Sequence, residues 1–327
     1  MPSEKHLPSK KRTTFAGVPD AENLEPREAD IAILGIPYRT PDGAISSHMQ
    51  RLRKTCQADS TRLPAAVRKE SQRYAGRFHH FDFDFRGDLF AGRDVRIVDC
   101  GDVAMSPRKD RQNQQASKDA VQKILDQGAI PVVLGGDHAT TIFALRAYED
   151  QAPVGVVHID AHLDFRDDVN GFKEAFSTPL RRASEMPWVT SITHIGLRGI
   201  GSARQGEVDA AQTYGSVMIG AEELHRSGID AILAKIPPAD RYYITLDADG
   251  LDPSISPGVL GPPAPGGVTY YEVFNLMRGI ARKGRVVGFD YVEIVPALDI
   301  AHMTSVTAVR IILNLIGILA HEGQIGQ

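Results

Sequence analysis

Three short stretches of this 327-residue sequence concentrate carboxylates and imidazoles: GGDH (135–138), DAHLD (160–164) and DAD (247–249). Each follows an apolar run, VVL (132–134), VVHI (156–159) and YITL (243–246). Carboxylates buried side by side desolvate and repel one another, so either the stretches are solvated or something positive sits among them. Ligands of open α/β sheets bind beyond the carboxyl ends of the strands, which would bring the three stretches to one place. Asp160, His162 and Asp164 are spaced two apart, as are Asp247 and Asp249, so an extended backbone would project each set to one side. Gly135 and Gly136 allow a tight turn before His138. The pooled set is Asp160, Asp164, Asp247, Asp249, His138 and His162. Two divalent cations would offset its four carboxylates. A set rich in oxygen, with imidazole and no thiolate, suits Mn(II), with Ni(II), Co(II) or Fe(II) as competitors, better than a structural zinc. Two such ions about 3.5–4 Å apart lower the pKa of a shared water and yield a hydroxide that attacks electrophilic carbon.

Neighbouring polar residues read differently. His158 shares the face of Asp160 one step deeper and is expected to be a hydrogen-bonded core histidine. Asp137 and Asp252 are expected to be local acceptors, and Asp167 and Asp168 to lie on a solvated loop.

The elements that would position these groups alternate. Strand-like runs fall at 31–36, 95–98, 130–134, 154–159, 191–196, 217–219, 242–246 and 286–289. Most are continuously apolar, as strands buried on both faces are. Helical stretches fall at 65–74, 112–126, 140–147, 207–212, 229–234, 270–281 and 306–321, with Gly128 where a helix-ending glycine belongs. The alternation predicts an α/β fold: a single three-layer α/β/α domain with a mostly parallel central sheet. The polar, Pro-, Lys- and Glu-rich residues 1–29 read as an N-terminal arm, and 30–327 as the catalytic domain.

Composition excludes some classes. The chain is 42% hydrophobic and 24% charged with a formal net charge of -4, which gives no basis for a nucleic-acid or anionic-membrane partner. Two cysteines, Cys56 and Cys100, form no disulfide framework and fit a reducing compartment. The N-terminus lacks the apolar core of a secretory signal, and no apolar run reads as long enough to span a bilayer. The expected location is the cytoplasm.

Taken together, GGDHAT, DAHLD, DADGLDPSISPG and GFDYVEIVP, with LGIPY near the start and HIGLRG in the middle, resemble the ureohydrolase superfamily of arginases and agmatinases over about residues 30–320. The wording around GFDYVEIVP and STPLRRA is agmatinase-like. The resemblance implies an arginase-like fold, assembly as homotrimers or homohexamers, and a binuclear Mn site that hydrolyses a guanidino group to urea and an amine. It implies that His138, Asp160, Asp164 and Asp247 hold one ion, and that Asp160, His162, Asp247 and Asp249 hold the other, Asp160 and Asp247 bridging. Asp164 would also steady the hydroxide, and Glu293 would accept hydrogen bonds from the guanidinium. Phe176 and Asn170 join Glu293 as candidate substrate-contacting residues.

The chain departs from the agmatinase pattern in three places. Where such proteins carry HGTPFRRA, with a histidine implied to pass a proton to the leaving amine, this chain has FSTPLRRA (176–183). Phe176 cannot transfer a proton, so Glu174, a metal-bound water or a better leaving group must serve. A Gly-rich DGGTSYRPGAR run is replaced by RTPDGAISSH (39–48) and an insertion to about Arg62, and GTGTPEPGG by GVLGPPAPGG (258–267). The changes touch the pocket mouth rather than the metal ligands. Candidate substrates are agmatine, guanidinobutyrate, guanidinopropionate, free guanidine and small alkylguanidines or biguanides. The alternative is a non-catalytic subunit that partners a related chain.

Overall fold

The computed structural model describes residues 12–21, 28–44, 59–260 and 265–327. Residues 1–11 and 22–27 of the polar lead, most of the 45–62 insertion with Cys56, and 261–264 lie outside the described residues. The strands are β1 (Ile31–Gly35), β2 (Ile97–Asp102), β3 (Ile130–Leu134), β4 (Val154–Ile159), β5 (Val189–Leu197), β6 (Val217–Gly220), β7 (Arg241–Asp247) and β8 (Arg285–Val292). They form one sheet in the order β2-β1-β3-β8-β7-β4-β5-β6. Every described pairing between these strands is parallel.

Helices cover both faces, and alternation along each strand shows how. Ile31, Ile33, Val132, Leu134, Val157, Ile159, Ile244 and Phe289 point into one core; Ala32, Leu34, Val133, Val154, Val156, Tyr243 and Val287 point into the other. The first core is closed by α1 (Leu63–Ser71), α6 (Ala221–Ser227), α7 (Ile229–Lys235), α8 (Tyr270–Lys283) and α9 (Met303–His321). The second is closed by α2 (Asp110–Asp126), α3 (Thr140–Arg146), α4 (Pro179–Ala183) and α5 (Gln205–Tyr214). The expected three layers are therefore present, and the sheet is wholly rather than mostly parallel among the described residues. Gly128 (φ 78°) follows the end of α2 and donates to the Leu125 carbonyl, as expected.

Two expectations are corrected. Residues 12–21 of the stretch read as a polar arm pack onto the domain: Phe15, Ala16 and Val18 are buried. The backbone N–H of Phe15 donates to Asp99 at 2.6 Å, and that of Ala16 to Ser71 at 2.7 Å. Three apolar residues in a polar stretch are enough to dock it once a buried acceptor awaits. The second concerns membranes. The segment Ile300–His321, with mean hydropathy 1.8, is long and apolar enough to cross one. Its composition answers to packing, since 78% of its apolar window is buried inside the domain.

The docked segment leans on a buried ion pair. Asp99, fully buried on β2, receives Nε and Nη2 of Arg68 at 2.8 and 2.9 Å, and Arg68 also reaches Asp102. Removing one member of such a pair strands the other charge, at a cost of about 3–5 kcal/mol. Arg68→Met is expected to lower unfolding stability by about that amount in urea titration, and to make the segment around Phe15 the first site cut in limited proteolysis.

Candidate metal centre

The strands β3, β8, β7 and β4 are consecutive in the sheet, so their carboxyl ends lie side by side. They deliver, in that order, His138, Glu293, Asp247 and Asp160. Two nests result. In the first, Nδ1 of His138 lies 3.2 Å from Asp160 Oδ2, 3.0 Å from Asp164 Oδ2 and 3.2 Å from Asp247 Oδ2. In the second, Nδ1 of His162 lies 3.4 Å from Asp160 Oδ1 and 3.1 Å from Asp249 Oδ2. Asp160 belongs to both, one oxygen to each. All six residues picked from the sequence as ligands thus come together.

The local route differs from the expected extended backbone. Strand β4 ends at Ile159, and Asp160 Oδ1 accepts from the backbone N–H of His162 at 2.6 Å. Strand β7 ends at Asp247, whose Oδ1 accepts from the backbone N–H of Asp249 at 2.8 Å. Each Asp-x-His or Asp-x-Asp pair is therefore gathered by a side-chain-to-backbone turn, the local bond that aspartate favours. Asp164 (φ 48°) and Glu293 (φ 66°) take the left-handed backbone that side chains rarely adopt, strain of a kind that clusters at functional sites. The glycines also act differently from expectation. Gly136 does not need a positive φ; a Cβ there would lie 1.8 Å from the Tyr38 carbonyl oxygen, so it is glycine because two backbones touch. Gly250 likewise abuts the Asp160 backbone, a Cβ falling 2.7 Å from its Cα. Arg198 holds this corner by donating to the carbonyls of Asp249, Gly250 and Leu251 at 2.8–3.0 Å.

Electrostatics show what the nests lack. Burial, then the charges of Asp249 and Asp160, push the Asp247 carboxyl well above the usual range. Burial and Asp160 raise Asp249 in the same direction. Burial also opposes ionisation of Asp160, but His158, His138 and His162 outweigh it and hold this carboxyl well below the usual range. His138 Nδ1 is buried and has no hydrogen-bond partner although three carboxylates surround it. A ring nitrogen facing carboxylate oxygens at 3 Å needs positive charge there: a proton, which the three carboxylates favour against the cost of burial by raising His138 well above its usual value, or a cation between them. The donor set, carboxylate oxygen with imidazole, suits a divalent transition metal.

The residues around the nests set the histidine tautomers. Nε2 of His138 donates to Thr245 Oγ1 at 3.0 Å, which leaves Nδ1 bare for a ligand. Thr245 donates in turn to Asp290 at 2.6 Å, and Thr141 and Tyr243 donate to the same buried carboxylate at 2.9 and 2.8 Å. His158 is hydrogen-bonded in the core, as expected: its Nε2 lies 2.7 Å from Asp160 and its Nδ1 2.9 Å from His194, and it also sits within metal-binding reach of His138, Asp160 and Asp164. Thr141, Thr245, Asp290 and His194 were not singled out from the sequence. Their signal was polar residues inside otherwise apolar strands and a buried helix, since buried polar groups demand partners.

The chain matches the model of the arginase family over residues 29–317. It is 30% identical to proclavaminate amidinohydrolase of Streptomyces clavuligerus over 91% of this chain and 90% of that one. It is 30% identical to guanidinopropionase of Pseudomonas aeruginosa over 94% and 93%. The solved structure of the Streptomyces enzyme superposes with TM-score 0.79 at 28% identity over 96% of this chain and 98% of that one. An agmatine ureohydrolase of Thermoplasma volcanium gives 0.76 at 27% over 96% of each. The chain belongs to the arginase family.

Glu293 is half-buried, and its Oε1 accepts from the backbone N–H of His138 at 2.9 Å, which ties it to the metal loop. Burial, then Asp137, push its carboxyl up to about 8. Phe176 is half-buried against Val169 and Ala175. Asn170 (φ 51°) lies outside the nests, on the exposed turn that joins Val169 to Phe172. Asp137 is a local acceptor, taking the backbone N–H of Thr40, and Thr40 Oγ1 accepts from Phe176 N at 2.9 Å. Asp252 accepts from Ser254, Gly266 and Gly267. Asp167 and Asp168 are exposed, although Asp167 also pairs with Arg182 at 2.7 Å.

The hydroxyl of Thr245 is the test of this arrangement. Thr245→Val keeps the shape but removes the acceptor for His138 and a donor to Asp290; divalent-metal affinity, read by chelator competition, is expected to fall roughly 10- to 100-fold, with Thr245→Ser close to wild type.

Proposed function

We propose that this chain is a binuclear-metal hydrolase that cleaves a guanidino C–N bond to give urea and an amine, with Mn(II) as the preferred metal and Ni(II) as the alternative. The family membership and the buried His/Asp cluster support the hydrolase class and the metal dependence. The observation that carries the reading is the position of Glu293, a desolvated carboxylate fastened to the backbone of the ligand His138.

The two metals, held by His138, Asp160, Asp164, His162, Asp247 and Asp249, would supply an activated water. The remaining steps belong to side chains. Glu293 is a poor anion because burial and the charge of Asp137 outweigh the support that it receives from His138. A planar guanidinium removes that penalty, ionises Glu293 and is oriented by it, so that its central carbon faces the nests. Asp164, turned into the first nest by its left-handed backbone, takes a proton at its carboxylate and returns it to the departing nitrogen. Glu174 does not serve, because its carboxylate is held by Arg146, and Phe176 has no proton to give.

The mouth favours a small or alkylated guanidine. Val169, Ala175 and Phe176 make a separate apolar cluster where a histidine would make a polar wall. Alkylguanidines, biguanides and free guanidine therefore stand ahead of agmatine, guanidinobutyrate and guanidinopropionate. We place the enzyme in the cytoplasm as a homotrimer or homohexamer; assembly with a related chain is the variant in which this one is a partner subunit. Phe176 favours the non-catalytic reading, and the convergence of all six ligands opposes it.

Urea release from a panel of guanidino compounds, with enzyme loaded separately with Mn(II) and Ni(II), tests the reading. Activity on a small or alkylated guanidine is expected, whereas metal uptake with no urea from any compound favours the partner-subunit role. Glu293→Gln is expected to raise KM roughly 10- to 100-fold, the worth of a charge-assisted hydrogen bond. Strict preference for agmatine, with Phe176→His changing nothing, would overturn the role given to the ring.

A further inference from the structure

Beneath the shared ligand Asp160 lies a pair of histidines that the catalytic reading leaves without a role. His158, on β4, and His194, on β5, sit opposite one another in the parallel register. Both are fully buried. Their Nδ1 atoms are 2.9 Å apart, and the far nitrogen of His158 lies 2.7 Å from Asp160 Oδ2. The far nitrogen of His194 is buried and has no partner.

Proton accounting selects one arrangement. Two facing Nδ1 atoms at this distance share one hydrogen. If His158 supplied it, His158 would be doubly protonated, and neutral His194 would carry its own hydrogen on the partnerless Nε2. A buried N–H without an acceptor is among the rarest and costliest defects in a native core. If His194 supplies it, only a lone pair is left unpaired, a milder defect. Desolvation also keeps His194 neutral by holding its pKa well below the usual value.

We infer that His194 is a positioning residue: its Nδ1–H locks His158 in the Nε2–H tautomer, so that His158 always offers a donor, and never a lone pair, to the ligand carboxylate of Asp160. With Asp160 Oδ1 accepting from His162 N and Oδ2 from His158, the carboxylate is held from both ends between the two nests. Without the donor at 194, His158 can place its hydrogen on Nδ1 and turn a lone pair toward Asp160. Two acceptors then face each other at 2.7 Å, and the carboxylate swings or protonates. The consequence is a loss of metal affinity, not a change in the guanidinium contact. The inference rests on the reading of Asp160 as a ligand common to both ions.

The experiment compares His194→Leu, which is close in volume and donates nothing, with His194→Gln, whose amide N–H can replace the imidazole donor. Mn(II) binding is read by chelator competition, alongside KM for the substrate found in the panel. Leu is expected to weaken Mn(II) binding roughly 10- to 100-fold with KM unchanged at saturating metal, and Gln to recover most of it. Wild-type affinity in the Leu variant, or equal losses in Leu and Gln, overturns the inference and leaves the metal site standing. A wild-type chain that takes up no Mn(II) overturns both. Imidazole 15N spectra of the wild-type protein loaded with Zn(II) test the tautomers without any substitution. A neutral His158 with its hydrogen on Nε2 and a His194 with its hydrogen on Nδ1 are expected; a doubly protonated His158 overturns the inference even if the Leu variant fails to fold.

Discussion

Four carboxylates brought within reach of two imidazole nitrogens, in a site with little access to water, is the constraint that the rest of this molecule serves. Left alone, such a cluster would hold protons or fly apart. The fold supplies compensation in layers. Backbone N–H groups of His162 and Asp249 satisfy the inner oxygens of Asp160 and Asp247. His158 supports Asp160 from below. Thr245, with Asp290 behind it, takes the outer hydrogen of His138 and turns the imidazole lone pair inward. What remains uncompensated is negative charge at the centre, which a pair of divalent ions would offset.

The same frame separates binding of metal from choice of substrate. Ligands come from the ends of central, fully buried strands. The loops of residues 39–44 and 169–178 join the His138 loop through one residue. Thr40 is the joint: its N–H goes to Asp137 beside His138, and its hydroxyl receives the N–H of Phe176. Residues 39–44 and 169–178 can therefore differ from those of relatives while the GGDH turn keeps its geometry. This is the pattern of departures found in the sequence, which alter the mouth and spare the ligands.

Much of this is legible in the sequence. Strands 130–134 and 154–159 were read at their observed bounds, because apolar runs buried on both faces have no other use at that length. The six residues that converge were legible because their stretches each follow such a run. Less legible was whatever depended on a partner distant in sequence. Strand β2 was expected over 95–98 but runs over Ile97–Asp102. Its Asp99 looks like a terminator until Arg68 is placed against it. Helix α4, of five residues, is too short to show a period. The left-handed backbones of Asp164 and Glu293 left no trace in residue type, since aspartate and glutamate seldom adopt them. Nor could spacing reveal that Gly136 answers to the Tyr38 backbone rather than to a turn.

The docked N-terminal segment has a consequence for how molecules of this chain can meet. Strand β2 is the outermost strand on one side of the sheet, where unpaired backbone groups invite another strand. The segment fills that position: Asp99 N donates to the Pro19 carbonyl and Ala21 N to the Asp99 carbonyl, both at 2.9 Å, a single rung of parallel ladder. On the opposite side β6 has only four residues, which leaves little edge to extend. Among the described residues the sheet is thus blunted at both margins by its own chain, which works against extending the hydrogen-bonded ladder into a neighbouring copy.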